Sequence, residues 1–307
     1  YKDIIKKQKN VKAIICYNTP SVSLYLLARW SRKHNVKIIS DCTEWYETES
    51  GEKVLKKYVK KLDIYNRMHI VQPKLDFVIA ISSFIYDFYK TKKTKTIQIP
   101  PLTDTKEDKW NKSDIKVSNH INIIYMGTPF SKELKRQKDR LDNLINALLF
   151  YETKYDFVFH IVGCNKSDFL DFYPNFSNKI KGKESVIKFY GKLPHIEAID
   201  KLKLCDFSIF VRDDTLTNKA GFPTKFAEAI SCGIPVLTNK NSNVKDYLKE
   251  GINGFFIDNR TDESLIKSLQ KPLSLTKKEL LNMKTITYNS KLFDYRNYVK
   301  YFKEILD

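Results

Sequence analysis

The densest group of chemistry-bearing residues lies at 221–239, GFPTKFAEAISCGIPVLTN. Gly221-Phe222-Pro223 reads as a turn that opens a helix at Thr224. Proline suits such a start because its missing N–H would be unpaired anyway. The free amides and positive dipole end of that helix make an anion site suited to a diphosphate. Lys225 in the first turn adds a mobile cation. Thr224 and Glu228 are four apart and share a face, where the Glu228 carboxylate can accept hydrogen bonds from a ribose diol. A solvated glutamate in an ordinary helix is the plainer reading. Phe226 and Ile230 point the other way, into a core, and Gly233 ends the helix.

Two further groups could join this chemistry. Arg212 follows an apolar run at 207–211, where a cation can reach a diphosphate and stabilise it as a leaving group. The neighbouring Asp213-Asp214 lacks the spacing of a metal triplet, and no metal is expected. In the first third, Asp41-Cys42-Thr43-Glu44-Trp45-Tyr46 comes directly after another apolar run, the position at which α/β sheets form sites. Asp41 and Glu44 there can hydrogen-bond sugar hydroxyls or cap the next helix.

These residues are positioned by an alternation of short apolar runs with longer amphipathic stretches, the rhythm of parallel βαβ units. Strands are predicted at 11–17, 36–40, 77–82 and 96–99, with helices at 21–34 and 83–89 and a helix-rich stretch at 51–72. Residues 105–119 are polar and aperiodic and read as a linker. A second series has strands at 121–126, 157–162, 186–190, 207–211, 235–238 and 254–256. Its helices are predicted at 140–151, 196–204, 224–231 and 244–248, with more helix to the end. The first series holds fewer strands than the roughly six of a complete dinucleotide-type domain, so an N-terminal portion is expected to lie outside this sequence.

A formal charge of +18, spread along the chain as lysine, favours nucleotide phosphates or an anionic membrane surface as partners. No nucleic-acid-binding signature accompanies it, and nucleic acid is not expected. No apolar run approaches the roughly 18–20 residues needed to cross a bilayer. The five cysteines, Cys16, Cys42, Cys164, Cys205 and Cys232, sit apart in apolar settings and read as reduced, buried thiols of a cytoplasmic chain.

The segment around Glu228 resembles the donor-binding signature of glycosyltransferase family 4, retaining enzymes of the GT-B fold. In its common form a glutamate precedes Gly-Phe-Gly and a second follows eight positions later. Glu228 matches the second, which holds the nucleotide ribose. Ala220 stands where the first would contact the transferred sugar, and Pro223 replaces the second glycine. This AGFPTKF variant is similar to that of a branch of bacterial polysaccharide enzymes. Tyr125-Met126-Gly127-Thr128-Pro129 followed by Lys138-Asp139 resembles the family's strand–glycine loop with its phosphate-binding lysine; Lys138 matches best, with Lys132, Lys135 and Arg136 as competitors. Gly191-Lys192-Leu193-Pro194-His195 resembles the turn whose backbone reads the base, with His195 also suited to capping the next helix.

The resemblance implies an α/β, GT-B architecture of two Rossmann-like domains facing a cleft, the first incomplete. Its domains are expected at 1–104 (acceptor side), 105–119 (linker) and 120–290 (nucleotide-sugar side), with a C-terminal helix at 291–307 packing back on the first. The implied reaction is retaining, metal-independent sugar transfer from a nucleoside diphosphate sugar, with no other cofactor, to a glycan or lipid-linked acceptor. Such chemistry serves capsule, exopolysaccharide or lipopolysaccharide assembly at the inner membrane face. Expected catalytic residues are Asp41, Glu44, Arg212 and Lys225. Expected donor contacts are Gly127, Thr128, Lys138, Leu193, Gly221, Phe222, Pro223, Thr224 and Glu228. The rival readings are a sugar-nucleotide epimerase of the same fold and a non-catalytic nucleotide-binding partner.

Overall fold

The computed structural model describes residues 10–45, 54–111, 117–133 and 136–306. Tyr46 and Lys135 lie outside these, as does part of the segment read as a linker. The chain divides into two compact units. One comprises Tyr1–Pro101, Thr215–Phe222 and Arg296–Asp307; the other comprises Leu102–Asp214 and Pro223–Tyr295.

In the first unit the chain runs β1 (Ala13–Tyr17), α1 (Ser21–Lys33), β2 (Lys37–Cys42), α2 (Val54–Tyr65), β3 (Phe77–Ala80), α3 (Ser83–Thr91) and β4 (Thr96–Gln98). The four strands are parallel and pair in the order β1-β2-β3-β4. Each strand followed by a helix and then by a parallel neighbour is the βαβ arrangement expected from the apolar rhythm. A core of Cys16, Leu24, Ala28, Ile38, Val71 and Leu75 lies between sheet and helices. Helix α2 continues into a π-helical turn at Asn66–Val71, which buries Arg67, Met68 and Val71.

The second unit begins with β5 (Ile121–Met126), a small hairpin of β6 (Phe130–Ser131) and β7 (Arg136–Gln137), α4 (Leu141–Leu149), β8 (Phe157–Val162) and α5 (Lys166–Phe172). It continues with β9 (Ile187–Phe189), α6 (His195–Lys203) and β10 (Phe207–Phe210). After α7 (Leu216–Ala220), which clusters with the first unit, come α8 (Thr224–Ser231), β11 (Val236–Thr238) and β12 (Gly254–Phe256). Helices α9 (Asp262–Leu273) and α10 (Lys277–Ser290) complete it, and α11 (Val299–Leu306) belongs to the first unit. Its six parallel strands lie in the order β12-β11-β10-β5-β8-β9. Strand β10 is buried at every position and β5 at all but its first. That uniform burial is the mark of parallel strands covered on both faces.

The polar stretch after the first unit does more than connect. Asp108–Trp110 forms a 3₁₀ turn with Trp110 buried, and Thr103 donates its amide to the Phe293 carbonyl at 2.9 Å. Helices α5 and α7 and the β6–β7 hairpin escape sequence prediction; α5 is seven residues long and buries only Phe169, too little for a helical period to register.

One end of the β5–β10 pair is pinned by a fully buried ion pair. Lys284 of α10 donates to Asp206 Oδ1 at 2.7 Å and to the Cys205 carbonyl at 2.9 Å, while Asp206 Oδ2 accepts the Asn122 amide at 2.8 Å. Removing one member of such a pair strands a buried charge and costs about 3–5 kcal/mol. Lys284→Met is therefore expected to lower the free energy of unfolding in urea by that order. The Lys284→Met/Asp206→Asn double variant should recover much of the loss.

Candidate functional site

At the opposite end of the same strand pair, the Asp139 carboxylate gathers three donors. Tyr125 OH, near the end of β5, donates at 2.6 Å; Lys225 Nζ, in the first turn of α8, donates at 2.6 Å; Arg212 Nε, just after β10, donates at 3.1 Å. The backbone turns that place Asp139 are short. The amides of Lys138 and Asp139 both donate to the Pro129 carbonyl, at 2.7 and 3.1 Å, which turns Asp139 inward and leaves Lys138 exposed. Arg212 is fixed through its backbone: its amide donates to Asn239 Oδ1 at 3.0 Å, and Asn239 Nδ2 returns a bond to its carbonyl at 2.8 Å.

The electrostatics follow from burial. Burial alone would raise the Asp139 pKa, but the charges of Lys225 and Arg212 and the hydrogen bonds from Lys225 and Tyr125 outweigh it and hold the carboxyl below its ordinary 3.8. Burial also pushes Lys225 below its ordinary 10.5, with Arg212 adding to the effect against the pull of Asp139. The Tyr125 hydroxyl is pushed well up, first by burial and then by the adjacent Asp139 charge. Two cations share the Asp139 carboxylate, and the Glu228 carboxylate also acts on Lys225. The Asp139 side chain is 3% exposed, whereas Lys225 and Arg212 keep 12% and 22% open. Lys225 is therefore not the mobile cation expected from its place in a helix start. It is clamped, because a lysine entering so apolar a setting needs a carboxylate beside it.

Gly127 completes this corner. Its φ is +135°, and a Cβ there would come within 2.9 Å of Lys225 Nζ. The next loop presses equally close, since a Cβ on Gly163 would lie 2.3 Å from the Gly127 carbonyl oxygen. Both glycines are thus required by close approach as well as by backbone conformation. Thr128, beside Gly127, is exposed.

Helix α8 forms over the residues expected from sequence, with Phe226 and Ile230 buried. Pro223 occupies the N-cap and supplies no side-chain cap. Thr224 is exposed at its start, and Glu228, one turn on, is half-buried. His195 Nε2 lies 3.2 Å from Glu228 Oε1. His195 does not cap α6; it is the first residue of that helix, after the N-cap Pro194, and reaches across to α8. Behind it, buried Trp110 packs edge-on at 6.5 Å. Leu193 is half-buried in the turn just before.

Gly221 and Phe222 lie where the chain leaves the first unit, Phe222 buried and Gly221 extended at φ −82° and ψ 170°. Ala220 is fully buried, and its carbonyl accepts the Ser82 hydroxyl. In the first unit Asp41 sits in β2, in register with Tyr17 and Ile79, and burial raises its carboxyl above the ordinary 3.8. Glu44 is exposed beyond that strand. Near the same strand ends, Arg67 Nη1 donates to Asn18 Oδ1 at 3.0 Å, a residue the sequence did not single out. Lys132 is exposed and pairs with Asp168 and Asp171 at 2.5 and 2.8 Å. Among the described residues, no three His, Cys, Asp or Glu side chains group as metal ligands.

Residues 123–290, more than half the chain, match the family of glycosyl transferases group 1. No curated protein matches the sequence. Among solved structures, the chain is similar to Anabaena Alr3699/HepE in complex with UDP, at 17% identity and TM-score 0.68 over 99% of this chain and 80% of that one. It is also similar to a glycosyltransferase from Rickettsia africae ESF-5, at 19% identity and TM-score 0.71 over 99% and 79%. A third likeness is to sucrose-phosphate synthase of Thermosynechococcus elongatus, at 13% identity and TM-score 0.67 over 99% and 75%. These likenesses show the fold: α/β, of the GT-B kind, with two Rossmann-like parts.

Asp139→Asn removes the charge that both cations share, and should destabilise the protein by about 3–5 kcal/mol in urea unfolding. The sign of its pH dependence is fixed by the depressed carboxyl pKa. The stabilisation is complete above the unfolded value and is lost as pH falls through the lower folded value. Wild type should therefore lose more stability than Asp139→Asn as the pH drops from about 5.

Proposed function

The chain belongs to the glycosyl transferases group 1 family, and we propose that it moves a sugar from a nucleoside diphosphate sugar to a glycan or lipid-linked acceptor with retention. The observation that carries this reading is the clamped pair of cations, Arg212 and Lys225, beside side-chain-free Gly127 and at the start of the helix that bears Glu228. In transfer, the bond from the anomeric carbon to the diphosphate oxygen breaks and one to an acceptor oxygen forms on the same face. The acceptor proton leaves with the diphosphate. Negative charge grows on the departing diphosphate, and cations already fixed in place stabilise it without reorganising. Arg212 and Lys225 fill that role, so transfer is expected to proceed without a divalent metal.

The remaining roles follow from position. Thr224, with the start of α8 after Gly221, Phe222 and Pro223, meets the diphosphate. Glu228 takes the ribose diol, with His195 as its partner until the nucleotide arrives. The turn containing Leu193 lies against the base, and Thr128 and exposed Lys138 border the phosphate corner. Asp41, in β2, and exposed Glu44 offer carboxylates suited to sugar hydroxyls. We place the chain in the retaining family 4, bacterial polysaccharide branch, acting in the cytoplasm. The absence of a carboxylate at Ala220 motivates one rival, a nucleotide-binding subunit that does not transfer.

Thermal unfolding with UDP, GDP and their sugars tests donor binding, since only ligands of the folded state raise the melting temperature. A rise with one nucleotide is expected, and none with either would overturn the reading. Glu228→Ala should weaken donor binding roughly tenfold or more, the loss of about 1.5–3 kcal/mol expected for hydrogen bonds to a charged group, with little change in the free protein's melting temperature. Labelled-sugar transfer that survives Glu228→Ala unchanged sinks the site assignment. Binding without transfer to any glycan or lipid-linked acceptor would favour the partner-subunit reading.

A further inference from the structure

Arg212 sits where the pairing of its own strand has run out. The β10–β11 register ends at Phe210 and Thr238. Beyond it, Val211 is held by the Arg140 amide, which donates to its carbonyl at 2.8 Å. Three residues after Arg212 the chain passes into the first unit. Arg212 therefore lies at the start of a crossing segment, where no strand or helix fixes the backbone.

Asn239, the residue after β11, supplies the missing pairing. Its Oδ1 accepts the Arg212 amide at 3.0 Å, and its Nδ2 donates to the Arg212 carbonyl at 2.8 Å. The two partners fix which end of the side chain is which, since an N–H only donates and a C=O only accepts. A side-chain amide thus stands in for a peptide group and carries the pairing of β10 with β11 one step past the strands. The Asn239 carbonyl is engaged elsewhere and accepts the Asn241 amide at 2.8 Å. Asn241 extends the grip, with Nδ2 donating to the Asp213 carbonyl at 3.2 Å. Both asparagines are buried. With Val211, Arg212 and Asp213 tied in this way, the freedom left is that of the Arg212 side-chain torsions. The bond from Nε to Asp139 at 3.1 Å restrains those. Asn239 sets the root of the side chain and Asp139 its far part.

We propose that Asn239 is a positioning residue for sugar transfer, acting through Arg212 to hold the guanidinium where the terminal phosphate of the leaving diphosphate is met. The inference rests on the reading that the chain takes a nucleoside diphosphate sugar. The bond that breaks in transfer is at that terminal phosphate, so the growing charge must find its cation already in place. A misplacement of about 1 Å at such a contact costs roughly a hundredfold in rate. Asparagine suits the position because its amide both donates and accepts. Aspartate cannot donate to the Arg212 carbonyl, and alanine leaves both backbone groups unpaired.

Calorimetric titration of the full chain with UDP and UMP, and with GDP and GMP, tests the proposal without need of an acceptor. The ratio of diphosphate to monophosphate affinity reads the contact with the terminal phosphate, and a loss of stability alone leaves that ratio unchanged. Arg212→Ala should lower the ratio about tenfold, the loss of a charge-assisted hydrogen bond. Asn239→Ala should lower it about fivefold or more, with monophosphate affinity within about twofold of wild type. In the Arg212→Ala background, Asn239→Ala should change the ratio by less than about twofold, because a residue that acts through Arg212 has nothing left to act on. Asn239→Ser keeps a shorter hydroxyl able to meet one of the two backbone groups and should fall between alanine and wild type. It carries both arms of the test if the alanine variant fails to fold. Wild type that binds no nucleotide overturns the donor reading and this inference with it. Wild type that binds a diphosphate, while the Asn239 variants keep its ratio or lose it equally with and without Arg212, overturns this inference alone.

Discussion

The second unit is organised around one buried carboxylate. Asp139 accepts from a tyrosine on β5, an arginine after β10 and a lysine on α8, and so fixes the ends of three elements far apart in sequence. Burying an ion costs several kcal/mol unless close partners compensate, which is why the contact is threefold and why the loop from Pro129 turns so sharply to aim it. The two cations are held rigidly by that carboxylate and keep a partly open edge, with Glu228 also acting on Lys225.

The fold was largely legible because parallel strands buried on both faces write themselves as apolar runs. Strands β5, β8 and β12 and helix α8 fall at the residues predicted, each bounded by glycine, proline or a polar turn. Other strands differ from the predicted bounds by one or two residues at an end, as at β2, predicted at 36–40 and found at Lys37–Cys42. The short helices α5 and α7 left too few buried positions to show a period. The site was legible in part. Spacing marked Arg212, Lys225 and Glu228 as a set, and the structure brings Arg212 and Lys225 to one carboxylate. It could not mark that carboxylate. Asp139 follows a lysine in a polar loop, and nothing in periodicity separates a buried aspartate from a solvated one. The His195–Glu228 contact joins residues 33 apart on different helices and has no local signature either.

The departure at Ala220 also has a physical setting. Its side chain is fully buried and its carbonyl accepts the Ser82 hydroxyl, at the end of a five-residue helix. A glutamate at that position would have to bring a carboxylate into packed surroundings or break the helix end away from Ser82. The alanine is therefore part of how α7 is seated and not an isolated deletion of a polar group. The resemblance would put a carboxylate for the transferred sugar at this position, and this chain has none there.

Comparing the two buried lysines separates scaffold from site. Lys284–Asp206 and Lys225–Asp139 pin opposite ends of the β5–β10 pair, and each aspartate also takes a donor from β5: the Asn122 amide at one end, the Tyr125 hydroxyl at the other. The chemistry is nearly the same, but the exposure is not. Lys284 and Asp206 are 0% and 1% open, so no ligand can reach that charge and the pair can only hold the sheet together. At the other end the carboxylate is sealed while both cations keep an open edge. The open edge leaves Lys225 and Arg212 in contact with solvent, which lessens the cost of burying their charges.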